Sequence, residues 1–319
     1  MLCYAKGILD LLQDRTDGKS GGLSDKTLNL VLKLHNYMVS HSTFPGNIKE
    51  VTSVPIYKKG IRTNLVNYRG IMLSNFLLNS PMTWLNFCLT PYVAKVGLIP
   101  ETQIATQMGV QSRDLMSFLA RIQTWAHRTK QPVYCIKRDQ LKGFDYPAPQ
   151  GFHDAIRAYG LPETIIELDV ASQSMVPCKV RMAYGELEQI VINGVTKQGG
   201  PLSLLKATMT TSLGHCWLDD LAKESKNRLI IRTKNARDGD PHTPEDFNEL
   251  TVSMVEAMDD SYLFAATFPG LQFFCLQMER FQYAYNWFTQ WNKRTVYILE
   301  DLSITSKIVT MPSITKIPG

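Results

Sequence analysis

The chain has 319 residues, of which 44% are hydrophobic and 20% charged, so it can bury a core as one large domain or two to three subdomains and is not disordered throughout. Its net charge of +5 and pI of about 8.8 form a mild basic bias, compatible with nucleic acid but not diagnostic of it. Six scattered cysteines (Cys3, Cys88, Cys135, Cys178, Cys216 and Cys275) without C-x-x-C spacing argue against a zinc site, the opening residues do not read as a secretory leader, and no run approaches the ~18 apolar residues that span a bilayer. The cysteines are expected as reduced core residues of an intracellular protein of the nucleus or cytoplasm.

In chain order, residues 1–45 read as helical, with Asp25 capping a segment in which Leu28, Leu30, Val31, Leu32, Leu34 and Met38 recur at helical spacing. His35 and His41 are expected at its surface or the core edge, not as ligands. Pro45-Gly46 ends it. Val51 to Tyr57 reads as a strand followed by Lys58-Lys59-Gly60, and Asn67 to Ser74 as a second β-prone run that opens near Arg69. A lysine and an arginine so placed can present cations to a phosphate chain, although each alone reads equally well as a solvated charge. Residues 76–97 read as a buried helix on Phe76, Leu77, Leu78, Met82, Trp84, Leu85, Phe87 and Leu89. Gln103 to Val110 reads as a loop, and Leu115 to His127 as an amphipathic helix.

Pro132 to Arg138 reads as a strand ending at Asp139, and the turn after it carries Phe144, which can wall a pocket. Phe152 to Tyr159 and Ile165 to Met175 read as helices, and Lys179 to Tyr184 with Gln189 to Ile192 as a hairpin. Gly194 to Ser203 is a glycine-rich turn opening a helix to about Ala222. Such a turn permits close backbone approach and favours anions at the helix start, but it is no Walker A or dinucleotide fingerprint. Residues 223–248 are polar and charged and read in part as a surface loop, with a short strand from about Arg228 to Thr233. Phe273 to Trp291 reads as a long aromatic helix built for core packing, with late strands at Val296–Leu299 and Ile308–Thr310 and a tail from Ser313.

The most informative stretch is Glu256-Ala257-Met258-Asp259-Asp260-Ser261-Tyr262-Leu263-Phe264-Ala265. Two adjacent carboxylates lie between Leu250, Val252, Met254 and Val255 on one side and Tyr262, Leu263 and Phe264 on the other, the pattern of a β-hairpin with aspartates at its turn. Neighbouring like charges repel, and a hard divalent cation such as Mg²⁺ or Mn²⁺ removes that penalty. Taken alone, Asp-Asp reads more readily as ordinary turn chemistry.

Five motifs in this order resemble the reverse transcriptases of non-LTR (LINE-type) retrotransposons. Val54 through Gly60 and Asn67 through Leu73 are similar to the fingers patterns "P-x-x-K-K-G" and "N-Y-R-P-I-x-L". Asp139-Gln140-Leu141-Lys142-Gly143-Phe144-Asp145 is similar to "D-x-x-K-A-F-D", Lys197 through Ser203 to "x-Q-G-x-P-L-S", and Ala257 through Ala265 to "Y-x-D-D-x-x-L-F-A". Asn286 to Thr295 loosely resembles a closing "N-x-x-K-T". The resemblance covers roughly residues 25–300. The chain departs from the pattern at Ala257 for an aromatic, Gly143 for alanine, Gly70 for proline, Leu204 for proline, and a closing motif one residue short.

The resemblance implies an α+β right-hand polymerase: a helical segment over 1–50, fingers over 51–131, a palm over 132–300 and a tail over 301–319, with the thumb largely absent. It implies RNA-directed DNA synthesis on an RNA template from a DNA primer, using deoxynucleoside triphosphates and two Mg²⁺ or Mn²⁺ ions. Asp139 and Asp259, 120 residues apart, would hold the metals with Asp260 assisting. Lys59 and Arg69 would hold the triphosphate, and Phe144 would stack on the sugar and exclude a ribose hydroxyl. Gln198 and Gly199 would touch nucleotide and template, and Lys293 the pyrophosphate. Two alternatives stand beside this: a truncated, catalytically silent remnant that at most binds nucleic acid, and another metal-dependent enzyme on a palm-like sheet, such as a nucleotidyl cyclase.

Overall fold

Alternation of side chains along Val133–Asp139 decides where the core of one half of the chain sits. The computed structural model describes residues 25–104, 107, 109–140, 147–194, 196, 199–234, 247–257, 260–291 and 294–299. The expected late strand at 308–310 and the tail lie outside them. The described chain forms two compact units. The first takes residues up to Val96 and Pro147–Met209, the second Gly97–Tyr146 and the residues from Thr210 on.

The first unit holds helices α1 (Asp25–Ser40), α2 (Gly46–Lys49), α3 (Phe76–Lys95), α5 (Gln150–Ala158) and α6 (Glu163–Gln173), and the opening of α7 (Ser203–Glu224). Its sheet runs β2 (Tyr68–Ser74), β1 (Val51–Tyr57), β4 (Val176–Met182), β5 (Gly185–Glu186), and β6 (Ile190–Ile192) also pairs with β4. β1 and β2 form a hairpin with Tyr57 opposite Tyr68 and Ile56 opposite Arg69, and β1 runs parallel to β4. Asn75 starts α3 by accepting a hydrogen bond from Leu77 N at 2.9 Å. That helix is less buried than its composition suggests, because Phe76 and Phe87 face outward. His35, expected at a surface or core edge, has no exposure; its ring meets Ser80 Oγ at 2.8 Å, and burial lowers its pKa.

A charged cluster is buried inside this unit. Asp169 on α6, 2% exposed, receives the Lys206 ammonium at 2.9 and 3.1 Å, His153 Nε2 at 3.0 Å and the Gln173 amide. Burial alone would push the Asp169 carboxyl up. Lys206, then His153, outweigh that and hold it below the usual carboxylate range. The cluster borders a cavity of about 40 Å³, lined also by Leu78, Met82, Gly200 and Ser203.

The second unit is built on a four-stranded antiparallel sheet in the order β11 (Thr295–Leu299), β3 (Val133–Asp139), β10 (Asp260–Ala265), β9 (Met254–Ala257). Strand period two sends Ile136, Leu263, Ala265, Met254 and Val296 to one face. There they pack on Leu218 and Ala222 of α7 and on Leu271, Phe274, Cys275 and Met278 of α8 (Phe268–Ala284). Val133, Cys135, Phe264 and Val255 point to the other face, against Leu115, Ile122 and Ala126 of α4 (Ser112–Thr129) and against Leu229, Ile231 and Val252 of the hairpin β7 (Leu229–Lys234)–β8 (Phe247–Val252). Each such Leu, Ile or Phe contributes about 1.5–3 kcal/mol when taken from water.

Two elements differ from expectation. The apolar run before the aspartates is not one strand: it breaks at Ser253, whose carbonyl accepts from Phe264 N at 2.9 Å and whose hydroxyl donates to Asp219. β8 pairs with β7, and β9 pairs with β10. The aromatic helix also lies earlier, at Phe268–Ala284. Thr267 caps it by accepting from Gly270 N at 3.1 Å. Asn286, left-handed at φ 59°, ends it, with Trp287 N returning to Gln282 O at 2.8 Å. The cysteines divide as well: Cys135, Cys178 and Cys275 are buried, whereas Cys88 and Cys216 are exposed.

Candidate active site

The end of the second sheet places carboxylates side by side. Asp139, the last residue of β3, is the cross-strand partner of Asp260, the first of β10, and Asp260 also pairs with Ala257 of β9. Residues directly opposite on antiparallel strands share a face with Cβ atoms about 4.5–5.5 Å apart. Asp139 and Asp260 therefore stand on the Val133–Cys135–Phe264 face, at the end of β3 remote from Val133. Met258 and Asp259, which connect β9 to β10, lie outside the described residues.

Lys137, two residues back on the same face, reaches Asp260 at 3.0 Å and lies 5.7 Å over the Tyr262 ring. Partial burial pulls the lysine down, but its hydrogen bond and charge contact with Asp260, helped by Tyr262, leave its pKa raised. Both partners are partly solvated, so the pair is worth at most about 1 kcal/mol. Paired hard oxygen donors at the rim of a sheet suit Mg²⁺ or Mn²⁺ in donor chemistry. Among the described residues no group of three or more His, Cys, Asp or Glu side chains gathers as a metal site.

The expected nucleotide-binding residues divide between the units. In the first, Lys59 lies in the loop between β1 and β2. That loop is tied by Lys58 N to Asn67 O at 2.9 Å, Tyr57 OH to Gly60 O at 2.6 Å, and the Asn67 amide to Ile61 O at 2.9 Å. Gly60 takes φ 96° there, and a Cβ on it would sit 2.7 Å from Asn67 Nδ2. Arg69 is exposed on β2, and Gly199, at φ 99°, lies against Ile71 and Met72 of that strand. One hairpin thus carries Lys59 and Arg69 with Gly199 beside it, while Asp139 and Asp260 belong to the second unit. Phe144, Gln198 and Lys293 lie outside the described residues.

The polar layer on the far face of the second sheet is not expected from the sequence. Arg138, 1% exposed, bonds Glu279, Gln282 and Thr289. Gln140 and Glu256, also buried, bond each other at 3.0 Å. The signal that could have found them is the same alternation that places Ile136: Arg138 on β3 and Gln140, one residue past its end, are its even-numbered successors and point inward with it.

No protein-family profile matches the chain, and no curated protein matches it in sequence. Solved structures do. Apo telomerase from Candida tropicalis truncated from its C-terminal domain aligns with a TM-score of 0.51 and 13% identity, over 85% of this chain and 55% of that one. The C. tropicalis telomerase in complex with a TWJ fragment of telomeric RNA aligns with a TM-score of 0.52 and 13% identity, over 88% of this chain and 46% of that one. The apo C. tropicalis telomerase aligns with a TM-score of 0.53 and 11% identity, over 86% of this chain and 49% of that one. The chain spans about half the length of these telomerase chains. At such identity the likeness speaks for architecture alone: the fold is α+β, sheets backed by helices, and resembles that of these telomerase chains.

Proposed function

We propose that this chain is the reverse-transcriptase domain of a non-LTR retrotransposon, an RNA-directed DNA polymerase acting on an RNA template and a DNA primer. The observation that carries the reading is the in-register pairing of Asp139 with Asp260, the residue that follows Asp259 in the chain. The telomeric RNA bound by one structure of this fold supports a nucleic-acid partner. Asp139, Asp259 and Asp260 would hold two Mg²⁺ or Mn²⁺ ions. When bound, these lower the pKa of the primer hydroxyl and neutralise charge on the triphosphate. Lys59 and Arg69 clamp phosphate oxygens, Arg69 as a fork and Lys59 as a point charge. Phe144 would select against ribose, Gln198 and Gly199 would contact nucleotide and template, and Lys293 would serve the pyrophosphate.

A second reading, a silent remnant, is favoured by the Lys137–Asp260 ion pair, which sets a side-chain cation on one of the three carboxylates. Primer extension on a primed RNA template, with dNTPs and Mg²⁺ or Mn²⁺, separates the two. Extension by the purified chain is expected to fall at least about a thousandfold in Asp259→Ala and Asp139→Asn. No extension by the folded chain, whether alone or in a longer form of the protein, rejects the polymerase and leaves the remnant.

A further inference from the structure

Glu256 lies on the helix-facing side of β9, beside Ser261 and Met254, with no solvent exposure. Three N–H donors converge on its two oxygens: Gln103 Nε2 at 2.6 Å, Gln140 Nε2 at 3.0 Å and His215 Nε2 at 3.2 Å. Each donor is itself held. Gln103 also bonds Thr211 Oγ at 2.9 Å, and His215 Nδ1 meets Thr102 Oγ at 3.0 Å, an arrangement that the Nε2–H tautomer satisfies. Thr102 O in turn accepts from Glu256 N at 2.9 Å.

Gln140 is the residue directly after Asp139, 5% exposed and bridged to Thr289. On the other side of Asp139, Arg138 is fixed to Glu279, Gln282 and Thr289. The Asp139 carbonyl accepts from Gln290 N at 2.7 Å. The carboxylate of Asp139 thus stands on one face while both of its neighbours are anchored beneath the other. Stability alone does not call for a buried Glu256, since apolar replacements of buried charges are commonly neutral or stabilising.

We infer that Glu256 is a positioning residue: through Gln140 it fixes the end of β3, and so the height of the Asp139 carboxylate against Asp260. The metal half of this statement rests on the function proposed above; the anchoring half does not. The residue touches neither substrate nor ion and acts only through the strand.

The test uses the full chain and three forms: the wild type, Glu256→Gln, and Glu256→Gln with Gln140→Glu. The double form rebuilds a carboxylate–amide pair with the charge on the other strand. Hydrogen exchange is read on peptides covering 136–146, and Mn²⁺ affinity by electron paramagnetic resonance. In Glu256→Gln, exchange near Asp139 is expected to rise about tenfold while Ile136, Met254 and Leu263 stay protected. Mn²⁺ affinity is expected to fall about tenfold. The double form restores both. If Glu256→Gln fails to fold, Gln140→Leu, which removes one donor only, carries the same two readings. Unchanged exchange near Asp139, or a rise spread evenly over the sheet, overturns the inference whatever the metal does. Wild-type Mn²⁺ binding that Asp139→Asn leaves intact overturns instead the metal role proposed for Asp139, and the anchoring stands on exchange alone.

Discussion

Replacing Lys206 by methionine keeps most of the side chain's volume and removes the cation that Asp169 faces. Asp169 is 2% exposed and Lys206 6%, so bulk water does not replace the ammonium, and the adjoining cavity of about 40 Å³ admits only a few waters. Removing one partner of a buried pair costs about 3–5 kcal/mol, because the charge left behind is uncompensated. At about 2–4 °C per kcal/mol this lowers the melting temperature by roughly 6–20 °C. The pH dependence carries the sharper signature. In the wild type the Asp169 carboxyl titrates below its unfolded value, so its contribution is complete above the unfolded pKa, near 3.8, and is lost as the pH falls toward the folded one. Without Lys206 the largest interaction opposing burial is gone and His153 alone among the charged partners remains, so the carboxyl titrates higher than in the wild type. The folded variant then takes up a proton on acidification and gains stability relative to the wild type. Calorimetric melts of both chains at pH 8 and pH 5 should show the gap narrowing at the lower pH. Adding Asp169→Asn should recover most of the loss. A gap that is the same at both pH values, or below about 1 kcal/mol, would refute the account of Asp169 as a carboxylate held ionised by Lys206.

Three further outcomes are expected. Arg138→Met takes the donor from Glu279, Gln282 and Thr289 but also removes two buried nitrogens, Nε and Nη1, that have no partner among the described residues; urea denaturation should show a loss of about 2–3 kcal/mol, short of a fully paired buried ion. Gly60→Ala forces a side chain into φ 96° and onto Asn67, and should cost about 1–2 kcal/mol while loosening the loop of Lys59, read as faster exchange at residues 58–67. Burial, with Glu279 adding to it, pushes the Cys275 thiol up to about 11, so in the folded chain at pH 8 mass spectrometry should find exposed Cys88 alkylated well before Cys275.

Short runs rich in β-branched or aromatic residues are read correctly from the sequence. Val51–Tyr57 and Val133–Asp139 are such strands, and the apolar and aromatic run Tyr262, Leu263 and Phe264 marks β10. Failures occur where a long-range bond overrides local pattern. Nothing local distinguishes Ser253 from its neighbours; Phe264 and Asp219, distant in sequence, break the strand there. The end of the aromatic helix is legible only through Asn286, an acceptable left-handed residue that aromatic content at Trp287 and Phe288 disguises. Arg138 and Glu256 look like ordinary surface charges until their parity with Ile136 and Met254 is counted. Of the candidate site, the strands bearing Asp139 and Asp260 are legible, whereas Lys137's grip on Asp260 depends on a strand pairing that no local pattern encodes.

The break at Ser253 has a consequence for how this chain can vary in length. Upstream of it, an added or lost residue in the connection between β7 and β8 is absorbed outside the central sheet, because β8 has no partner there. Downstream, within Met254–Ala257, a single added residue reverses which side chains point inward. It would turn Glu256 away from Gln140 and bring Val255 or Ala257 into a polar recess. Insertions are therefore tolerable in the connection ahead of β8 and ruinous within β9, although β8 and β9 read as one continuous run.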